Sequence, residues 1–335
     1  MKNKILITGA NGFIGSFLVE EALKQGFEVY AGIRKTSNRQ YLQQKEVHFF
    51  DLLLSAPEVL EKQFRDFLLE EGGFDYVIHN AGITQASKKE DFFIVNTLYT
   101  QNLIDAITAS GMKLKKFVLI SSLAAYGPGN EQTFTPLQLT DTPHPISLYG
   151  LSKLRAQQYL SNQTDFPYII INPTAVYGPR DKDFLQFIKL VNNGFEPYVG
   201  TNRQMLSMIY VKDLARAVIG IMLTSFYNRS YFVSDTRVYN KEQLGETARI
   251  LLHKKTLKIK IPVSIITPVI ASVEAVYKIF GSLPFLNVEK VNEISSANWL
   301  CDSSELWKDL GAEPAYFLKE GMRETIDWYK ENSWL

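Results

Sequence analysis

The stretch Thr8-Gly9-Ala10-Asn11-Gly12-Phe13-Ile14-Gly15 decides the fold. It joins a short apolar run at 4–8, typical of a buried parallel strand, to a segment at 13–25 with apolar residues at helical spacing. Glycine at position 9 permits a tight turn, glycine at 12 lets a pyrophosphate approach the backbone, and glycine at 15 lets the helix lie close to the sheet. Because the start of the helix offers free N–H groups and a positive partial charge, the stretch predicts a dinucleotide-binding loop.

Strands and helices alternate along the first half of the chain. The sequence predicts strands at 28–33, 47–50, 76–79, 116–121 and 168–172, and helices at 56–71, 97–110 and 149–161. This succession predicts an α/β fold, with a Rossmann-type, doubly wound parallel sheet covered by helices on both faces. In such folds ligands bind at the carboxyl ends of the strands.

The alternation weakens after residue 177. Helices are predicted at 184–193 and 241–252, within irregular segments that contain proline. A strand at 208–211, a helix at 213–223 and a strand at 230–233 are predicted to return to the main sheet. We therefore expect a dinucleotide-binding Rossmann domain made of residues 1–177 together with 208–235. A smaller C-terminal α/β substrate lobe is then made of 178–207 and 236–335.

The composition is that of an ordinary globular protein and limits its partners. The 335 residues are 46% hydrophobic and 21% charged, and the formal net charge is +1. No field of one sign is available to attract nucleic acid or a membrane surface, so a small-molecule substrate is expected. The single cysteine, Cys301, rules out an internal disulfide and fits the reducing cytoplasm.

Two apolar segments bear on targeting and membrane contact. Residues 5–7 are too short a run for the core of a signal peptide, so a cytoplasmic protein is expected. The segment 261–280 contains Pro262, Pro268, Glu274 and Lys278, and its uninterrupted apolar part is shorter than the roughly 20 residues that a bilayer requires. It predicts an amphipathic helix that packs on the protein or closes a substrate cleft, with no stable membrane insertion.

The glycine spacing, Gly-x-x-Gly-x-x-Gly after Thr8, resembles that of the extended short-chain dehydrogenase/reductase superfamily. Further motifs match the family in order along the chain. They are Asp51-Leu52, His79-Asn80-Ala81-Gly82, Asn96, Ser121-Ser122, Tyr149-Gly150-Leu151-Ser152-Lys153, Pro173-Thr174-Ala175-Val176-Tyr177-Gly178-Pro179 and Ile209-Tyr210-Val211-Lys212-Asp213-Leu214-Ala215. The resemblance covers essentially the whole chain and implies an enzyme that uses a nicotinamide dinucleotide.

Tyr149 and Lys153 are four residues apart on a predicted helix, so they share a face. An ammonium beside a phenol favours the phenolate and brings its pKa from about 10 toward the working range. The resemblance implies that Tyr149 is the general acid/base, that Lys153 reaches the nicotinamide ribose, and that Ser122 donates a hydrogen bond to the substrate oxygen. Ser122 is preferred to Ser121 because the family's catalytic Ser or Thr stands four residues before a Tyr-Gly pair, here Tyr126-Gly127.

The end of the second strand bears on the choice of dinucleotide. NAD sites usually place an acidic side chain there, whereas this chain has Arg34 and Lys35, which can pair with a 2′-phosphate. We therefore expect NADP in preference to NAD. By resemblance, Asp51 accepts a hydrogen bond from the adenine amino group with Leu52 beside it, and Asn96 bends its helix to position the site, caps it, or does both. The other cofactor-binding residues that the resemblance implies are Gly9, Asn11, Gly12, Phe13, Ile14, Gly15, Asn80, Ala81, Gly82, Pro173 and Val176, together with Tyr149 and Lys153.

Two positions depart from the patterns of the family's sugar-nucleotide enzymes. The dehydratases carry an Asp-Glu pair directly after the catalytic Ser or Thr, where this chain has Leu123-Ala124. The epimerases usually carry an Arg that holds the substrate diphosphate, where this chain has Leu206. Losing a bidentate phosphate clamp is not neutral, although Arg180 or Arg203 can substitute.

These departures favour the reductase and hydroxysteroid-dehydrogenase-like branch, and so an oxidoreductase that interconverts a carbonyl and an alcohol by hydride transfer. A sugar-nucleotide epimerase with bound NAD stays an alternative. A non-catalytic, dinucleotide-binding redox sensor is a second alternative, although the intact Ser122, Tyr149 and Lys153 argue against it. Aromatic residues of the C-terminal lobe are candidates for an apolar substrate cleft; they are Tyr277, Phe280, Phe285 and Trp299.

The remaining expectations concern assembly and metals. Extended members often pair through two helices, predicted here at 97–110 and 149–161, so the resemblance implies a homodimer. No metal site is expected, because His48, His144 and His253 show no spacing of metal ligands. His79, at the end of a predicted buried strand, is interpreted as structural.

Overall fold

Seven parallel strands form the central sheet of the computed structural model, which describes residues 2–200, 203–279 and 287–335. The strands of the chain are β1 (Lys4–Thr8), β2 (Glu28–Ile33), β3 (Val47–Asp51), β4 (Tyr76–His79), β5 (Lys116–Ile120), β6 (Tyr168–Pro173), β7 (Ala175–Tyr177), β8 (Phe195–Val199), β9 (Met205–Leu206), β10 (Met208–Tyr210), β11 (Arg229–Val233), β12 (Tyr239–Asn240), β13 (Leu257–Ile261) and β14 (Asn298–Trp299). The central sheet has the order β3-β2-β1-β4-β5-β6-β11, and every neighbouring pair is parallel. This order confirms the predicted doubly wound sheet and places its switch point between β1 and β4.

Helices cover both faces of this sheet. They are α1 (Phe13–Lys24), α2 (Pro57–Glu71), α3 (Lys89–Phe92), α4 (Tyr99–Ala109), α5 (Leu148–Ser161), α6 (Lys182–Asn192), α7 (Val211–Leu223), α8 (Lys241–Leu252), α9 (Val263–Ile279), α10 (Val288–Ser295), α11 (Ser304–Leu310) and α12 (Leu318–Glu331). Ile5 and Ile7 of β1 lie in the core beneath α1 and α7, whereas Leu6 lies in the core beneath α2, α4 and α5. Because successive strand residues face opposite sides and both sides are covered, the inner strands are apolar over most of their length.

Two elements differ from the sequence-based expectation. The helix predicted at 97–110 begins earlier, at Lys89, and continues from α3 through a π-helix at Phe93–Leu98 into α4. The strand predicted at 208–211 does not return to the main sheet. Instead β10 pairs in parallel with β7, because β11 already occupies the open edge of β6 along its whole length. The strand predicted at 230–233 does join the main sheet, as β11.

In the described part of the C-terminal lobe, the sheets are small and accompany several helices. β12, β9 and β14 form one of three strands, and β8 pairs with β13 in another. The strand and turn around Cys301 connect this lobe to the segment after β5, since Cys301 forms a bridge with Leu137. Within the described ranges, no helix is both long enough and apolar enough to cross a membrane.

Candidate active site

A cleft of about 1400 Å³ opens at the carboxyl ends of the central strands, next to the switch point. Its walls come from the turns after β1, β2, β4, β5 and β6, from the start of α5, and from the C-terminal lobe. Most residues implicated by the sequence line it, namely Gly9, Asn11, Gly12, Phe13, Ile14, Arg34, Leu52, Asn80, Ala81, Gly82, Ser122, Tyr149, Lys153, Pro173 and Val176. Gly15, Asp51 and Asn96 do not line it.

The backbone approaches of the loop at residues 9–15 are too close for side chains at Gly9 and Gly15. Gly9 has a φ of 63°, and a Cβ there would lie 2.8 Å from the Ala81 Cα. A Cβ on Gly15 would lie 2.1 Å from the Gly9 carbonyl oxygen, so only glycine lets α1 approach the turn this closely. Gly12 precedes α1 without a side-chain cap, which leaves the first N–H groups of the helix available to an anion. The residues present therefore fit the pyrophosphate of a dinucleotide.

A buried hydrogen-bond chain holds the loops after β1 and β4 together. His79 is wholly buried, with Nδ1 2.8 Å from the Thr8 Oγ1 and Nε2 3.0 Å from the Thr100 Oγ1. The Thr8 Oγ1 also accepts from the backbone N–H groups of Asn80 and Ala81 at 3.1 and 3.0 Å. Burial lowers the pKa of His79 to about 3, and the positive charge of Lys153 contributes to this shift, so the imidazole is neutral. These contacts give His79 a structural role.

Tyr149, Lys153 and Ser122 meet at the floor of the cleft. Ser147 caps α5, because its Oγ accepts from the Gly150 N–H at 3.0 Å, and this places Tyr149 in the first turn. The Ser122 side chain is hydrogen-bonded to the Tyr149 phenol. One turn further along α5, the Lys153 Nζ donates to the Ile120 carbonyl oxygen at 3.0 Å.

Burial dominates the proton affinities of this group. It raises the pKa of Tyr149 to about 12, against the lowering effect of the Ser122 hydrogen bond, and the Glu293 carboxylate raises that pKa further. Burial also lowers the pKa of Lys153 to about 8. The expectation that Lys153 lowers the pKa of Tyr149 is therefore wrong for this structure, where the ammonium donates to the Ile120 carbonyl instead. The phenol is protonated at neutral pH and can donate its proton.

The two adjacent serines occupy different environments. The Ser121 Oγ accepts from the Gln157 Nε2 at 2.5 Å, and the same Nε2 donates to the Asn172 Oδ1 at 2.7 Å. All three residues are buried. Ser122 is less buried and adjoins the Tyr149 phenol. The geometry therefore supports Ser122, rather than Ser121, as the partner of the substrate oxygen.

Asn96 connects the loop after β4 to α5. Its Oδ1 accepts from the Ile83 N–H at 2.8 Å, and its Nδ2 donates to the Ile83 carbonyl at 2.9 Å and to the Ser152 Oγ at 3.0 Å. The contact is close, since a Cβ on Gly82 would lie 2.9 Å from the Asn96 Oδ1 and 3.1 Å from the Lys153 Nζ. Asn96 lies inside the π-helix and not at a helix start, so the N-cap interpretation is wrong.

Arg34 and Lys35 differ in what they contact. The Lys35 backbone N–H donates to the Asp51 Oδ1 at 3.1 Å, and the Lys35 Nζ lies 3.8 Å from the Asp51 Oδ2. Lys35 does not line the cleft. Arg34 does line it, and no carboxylate among the described residues forms an ion pair with it. Of the two cations that the sequence indicated, only Arg34 is therefore directed to the cleft.

Glu293 is the site residue that sequence reasoning missed. It lies on α10, lines the cleft, and accepts a hydrogen bond from the Ser147 Oγ at 2.5 Å. Its carboxylate also acts on the Tyr149 phenol through its charge. No motif or spacing relates position 293 to position 149, so the sequence carried no signal for this contact.

The C-terminal wall of the cleft combines apolar side chains with charged ones, among them Asp181, Lys290 and Glu293. Leu206 and Trp299 line it. Tyr277 does not and is instead 42% exposed, which corrects its place among the cleft candidates, while Phe280 and Phe285 lie outside the described residues. Further apolar lining residues are Phe184, Phe187, Met208, Leu244 and Ile294.

The two arginines that can replace an epimerase's diphosphate clamp have other contacts. Arg180 donates to the Glu20 carboxylate at 2.6 Å and to the Ser16 Oγ at 2.9 Å, and its guanidinium also lies over the ring of Tyr41. Arg203 lies over the ring of Phe134, 5.0 Å from its centroid, and does not line the cleft. Arg180 lines the cleft with both terminal nitrogens already bound, whereas Arg203 lies outside the cleft.

Comparisons with known proteins agree with this geometry. The model of the NAD dependent epimerase/dehydratase family matches residues 5–231. The chain is 26% identical over 333 residues to the ceramide reductase of Caulobacter vibrioides, covering 99% of this chain and 96% of the relative. It is 27% identical over 338 residues to the UDP-glucose 4-epimerase of Vibrio cholerae, covering 97% and 95%. The crystal structure of the UDP-glucose 4-epimerase of Thermus thermophilus in complex with NAD has a TM-score of 0.75 to this fold at 24% identity, covering 98% and 99% of the two chains. The chain belongs to the NAD dependent epimerase/dehydratase family and is an enzyme of the extended short-chain dehydrogenase/reductase type.

Proposed function

We propose that this enzyme is an NADP-preferring oxidoreductase that interconverts a carbonyl and an alcohol on a small-molecule substrate. The observation that carries this choice is Leu206, an apolar side chain in the cleft wall where the family's epimerases usually hold a diphosphate with Arg. The pairing of Arg180 with Glu20 and the position of Arg203 outside the cleft support the same choice. The name of the Caulobacter relative, a ceramide reductase, supports a reductase as well.

Tyr149, Ser122 and Lys153, at the floor of the cleft, have different roles in the proposed reaction. A bound nicotinamide supplies or takes up the hydride at the substrate carbon. Tyr149 gives its proton to the substrate oxygen during reduction, because its buried phenol is protonated at neutral pH. Ser122 donates a hydrogen bond to the same oxygen as negative charge develops there. Lys153, one turn further along α5, would donate hydrogen bonds to the ribose hydroxyls of the nicotinamide nucleotide.

The preference for NADP rests on Arg34. Its guanidinium lines the cleft after β2, where dinucleotide-binding folds place the adenosine ribose, and it has no carboxylate partner among the described residues. A 2′-phosphate is the group that a guanidinium fork at this place binds best. The similar structure of the Thermus thermophilus epimerase contains NAD. The preference for NADP is therefore proposed for this chain from Arg34 and not from that structure.

We further propose that the enzyme is a cytoplasmic homodimer. Residues 1–177 and 208–235 form its Rossmann domain, and residues 178–207 and 236–335 form the lobe that binds the substrate. Leu206, Glu293 and Trp299 all reach the cleft from that lobe. The dimer interface is supported by Ile94 and Leu98, which are one turn apart beside α4 and are 40% and 45% exposed. Two large apolar side chains on one helix face favour burial against a second copy.

The experiment that tests the function is a comparison of two assays on the purified enzyme. NADPH oxidation is measured against aldehydes, keto-steroids, keto-sugars and lipid ketones, and interconversion of UDP-sugars is measured in parallel. The proposal predicts NADPH-dependent carbonyl reduction and no interconversion. UDP-sugar interconversion without net oxidation of the dinucleotide would identify the epimerase, which the name of the Vibrio relative keeps as the second candidate.

A further inference from the structure

The helix α9 turns apolar side chains toward solvent. Ile265, Val269, Val273 and Tyr277 recur every four residues and are 58%, 55%, 37% and 42% exposed. Because residues four apart share a helix face, they form a continuous row, here called the α9 stripe. No charged residue occurs from 263 to 273. A surface helix normally presents polar residues outward, so this apolar face indicates an interaction site.

The α9 stripe is separate from the active site. None of the described residues of α9 lines the cleft, so this helix does not close it. On its other side α9 packs against α10, where the Glu274 carboxylate accepts from the Val288 N–H at 3.3 Å. The stripe is thus held outward by packing that already occupies the inner face of the helix.

The strand before α9 extends this apolar surface. β8 and β13 pair in parallel with Phe195 opposite Leu257, and these side chains are 47% and 64% exposed. Ile259 and Ile261 follow Leu257 on the same face of β13, since strand residues two apart point the same way. Pro262 then leads directly into the helix.

A cluster of lysines accompanies this surface. Four of the seven residues from 254 to 260 are lysine, and no Asp or Glu occurs from 253 to 273. Lys258 and Lys260 alternate with the apolar residues of β13 and so face its other side, where each lies 3.9 Å from a carboxylate oxygen, of Glu196 and Glu242 respectively. Lys254 and Lys255 form no ion pair with any residue that the structure describes. A chain with a net charge of only +1 therefore has two unpaired lysines next to the exposed Leu257, where this apolar surface begins.

We propose that the α9 stripe, the apolar face of β13 and the unpaired Lys254 and Lys255 form a docking surface for an anionic lipid bilayer. An interfacial helix buries its apolar face in the headgroup region while neighbouring lysines attract acidic headgroups. The 17 residues of α9 span about 25 Å and can lie in that plane. A second copy of the chain is the weaker candidate, because it would bring two lysine clusters together without acidic partners. This docking does not depend on the proposed reaction.

The test is sedimentation of the full-length enzyme with lipid vesicles. We expect binding to phosphatidylcholine vesicles that contain phosphatidylserine, little binding to phosphatidylcholine alone, and weaker binding at high salt. Val269→Asp, and separately the pair Lys254→Glu and Lys255→Glu, are expected to lower the partition coefficient by about tenfold or more. Leu69→Asp, at a 79% exposed position on α2, is the matched control and leaves binding unchanged.

Three results would overturn the proposal. The first is an enzyme that stays in the supernatant with both vesicle types. The second is equal binding to neutral and acidic vesicles that the lysine variant does not reduce. The third is a dimer in light scattering that Val269→Asp dissociates while vesicle binding is absent, which would assign the stripe to a second copy. The lysine variant changes only exposed charges, and circular dichroism of both variants verifies that they fold.

Discussion

The Ser147 hydroxyl donates a 2.5 Å hydrogen bond to the Glu293 carboxylate and so joins the start of α5 to the C-terminal lobe. The same Oγ accepts from the Gly150 N–H and caps the helix that carries Tyr149. Glu293 brings a negative charge close enough to the phenol to raise its pKa. The position of α10 and the protonation of Tyr149 are therefore linked through one side chain.

Replacing Glu293 by Gln keeps the acceptor for Ser147 and removes the charge. The pKa of Tyr149 then falls, because the Glu293 carboxylate is one of the groups that raise it. Carbonyl reduction needs the protonated phenol and is lost as pH rises through this pKa, so the alkaline limb of the kcat/KM profile is expected to move to lower pH. Glu305→Gln, at an exposed carboxylate on α11, serves as the control. A limb that stays in place or moves to higher pH would contradict the link.

Arg34 and Lys35 form a matched pair for the choice of dinucleotide. Arg34→Gln is expected to raise the KM for NADPH by about 10- to 100-fold, because one charge-assisted contact to a phosphate is lost, and to leave the KM for NADH within about twofold. Lys35→Gln should change neither, since Lys35 contacts Asp51. Steady-state kinetics with both dinucleotides measures this. Equal effects of the two substitutions would remove Arg34 as the residue that selects NADP.

Replacing Gly15 by alanine is expected to lower stability, whereas replacing Gly12 by alanine is expected to lower the affinity for the dinucleotide. At Gly15 the new Cβ would lie 2.1 Å from a backbone oxygen, so α1 must shift and the thermal midpoint falls by several degrees. At Gly12 the nearest protein atom is 3.3 Å away and the backbone is extended, so stability is largely kept. The added methyl then stands where the pyrophosphate approaches, and dinucleotide affinity falls. Calorimetric unfolding and titration separate the two effects, and the reverse pattern would contradict the assignment.

The parts of this site that the sequence predicted are those with a local signal. The glycine loop, the strands beside it and the Tyr149–Lys153 pair are each defined by residues a few positions apart, so spacing alone locates them. The preference for Ser122 over Ser121 came from family spacing, and the Gln157 bond to Ser121 supports it.

The parts that the sequence did not predict depend on tertiary contacts. Glu293 approaches Tyr149 only because α10 packs near the start of α5. In the sequence, Arg34 and Lys35 are equivalent candidates for the 2′-phosphate. Only the folded structure shows that Lys35 is paired with Asp51. The edge of β6 is taken by β11, which no pattern within 208–211 reveals. The +1 net charge likewise concealed the lysines before α9, because a sum over the chain hides local clustering.

The proposed dimer is tested at Leu98. This side chain is 45% exposed beside α4, and a carboxylate there would be buried unpaired against a second copy. We expect light scattering to give a dimer mass for the wild type and a monomer mass for Leu98→Asp at the same concentration. Leu69→Asp places the same change at a 79% exposed position on α2 and should leave the dimer intact. A wild-type monomer, or a Leu98→Asp dimer, would exclude this interface.

The central claim is that Tyr149 supplies the proton in carbonyl reduction, and its most direct test is the rate of NADPH oxidation by Tyr149→Phe beside the wild type. The substitution removes only the hydroxyl, so NADPH binding should be unchanged while turnover with a carbonyl substrate falls by about 10²- to 10⁴-fold. A Tyr149→Phe enzyme that binds NADPH and still reduces the carbonyl at the wild-type rate would contradict the account.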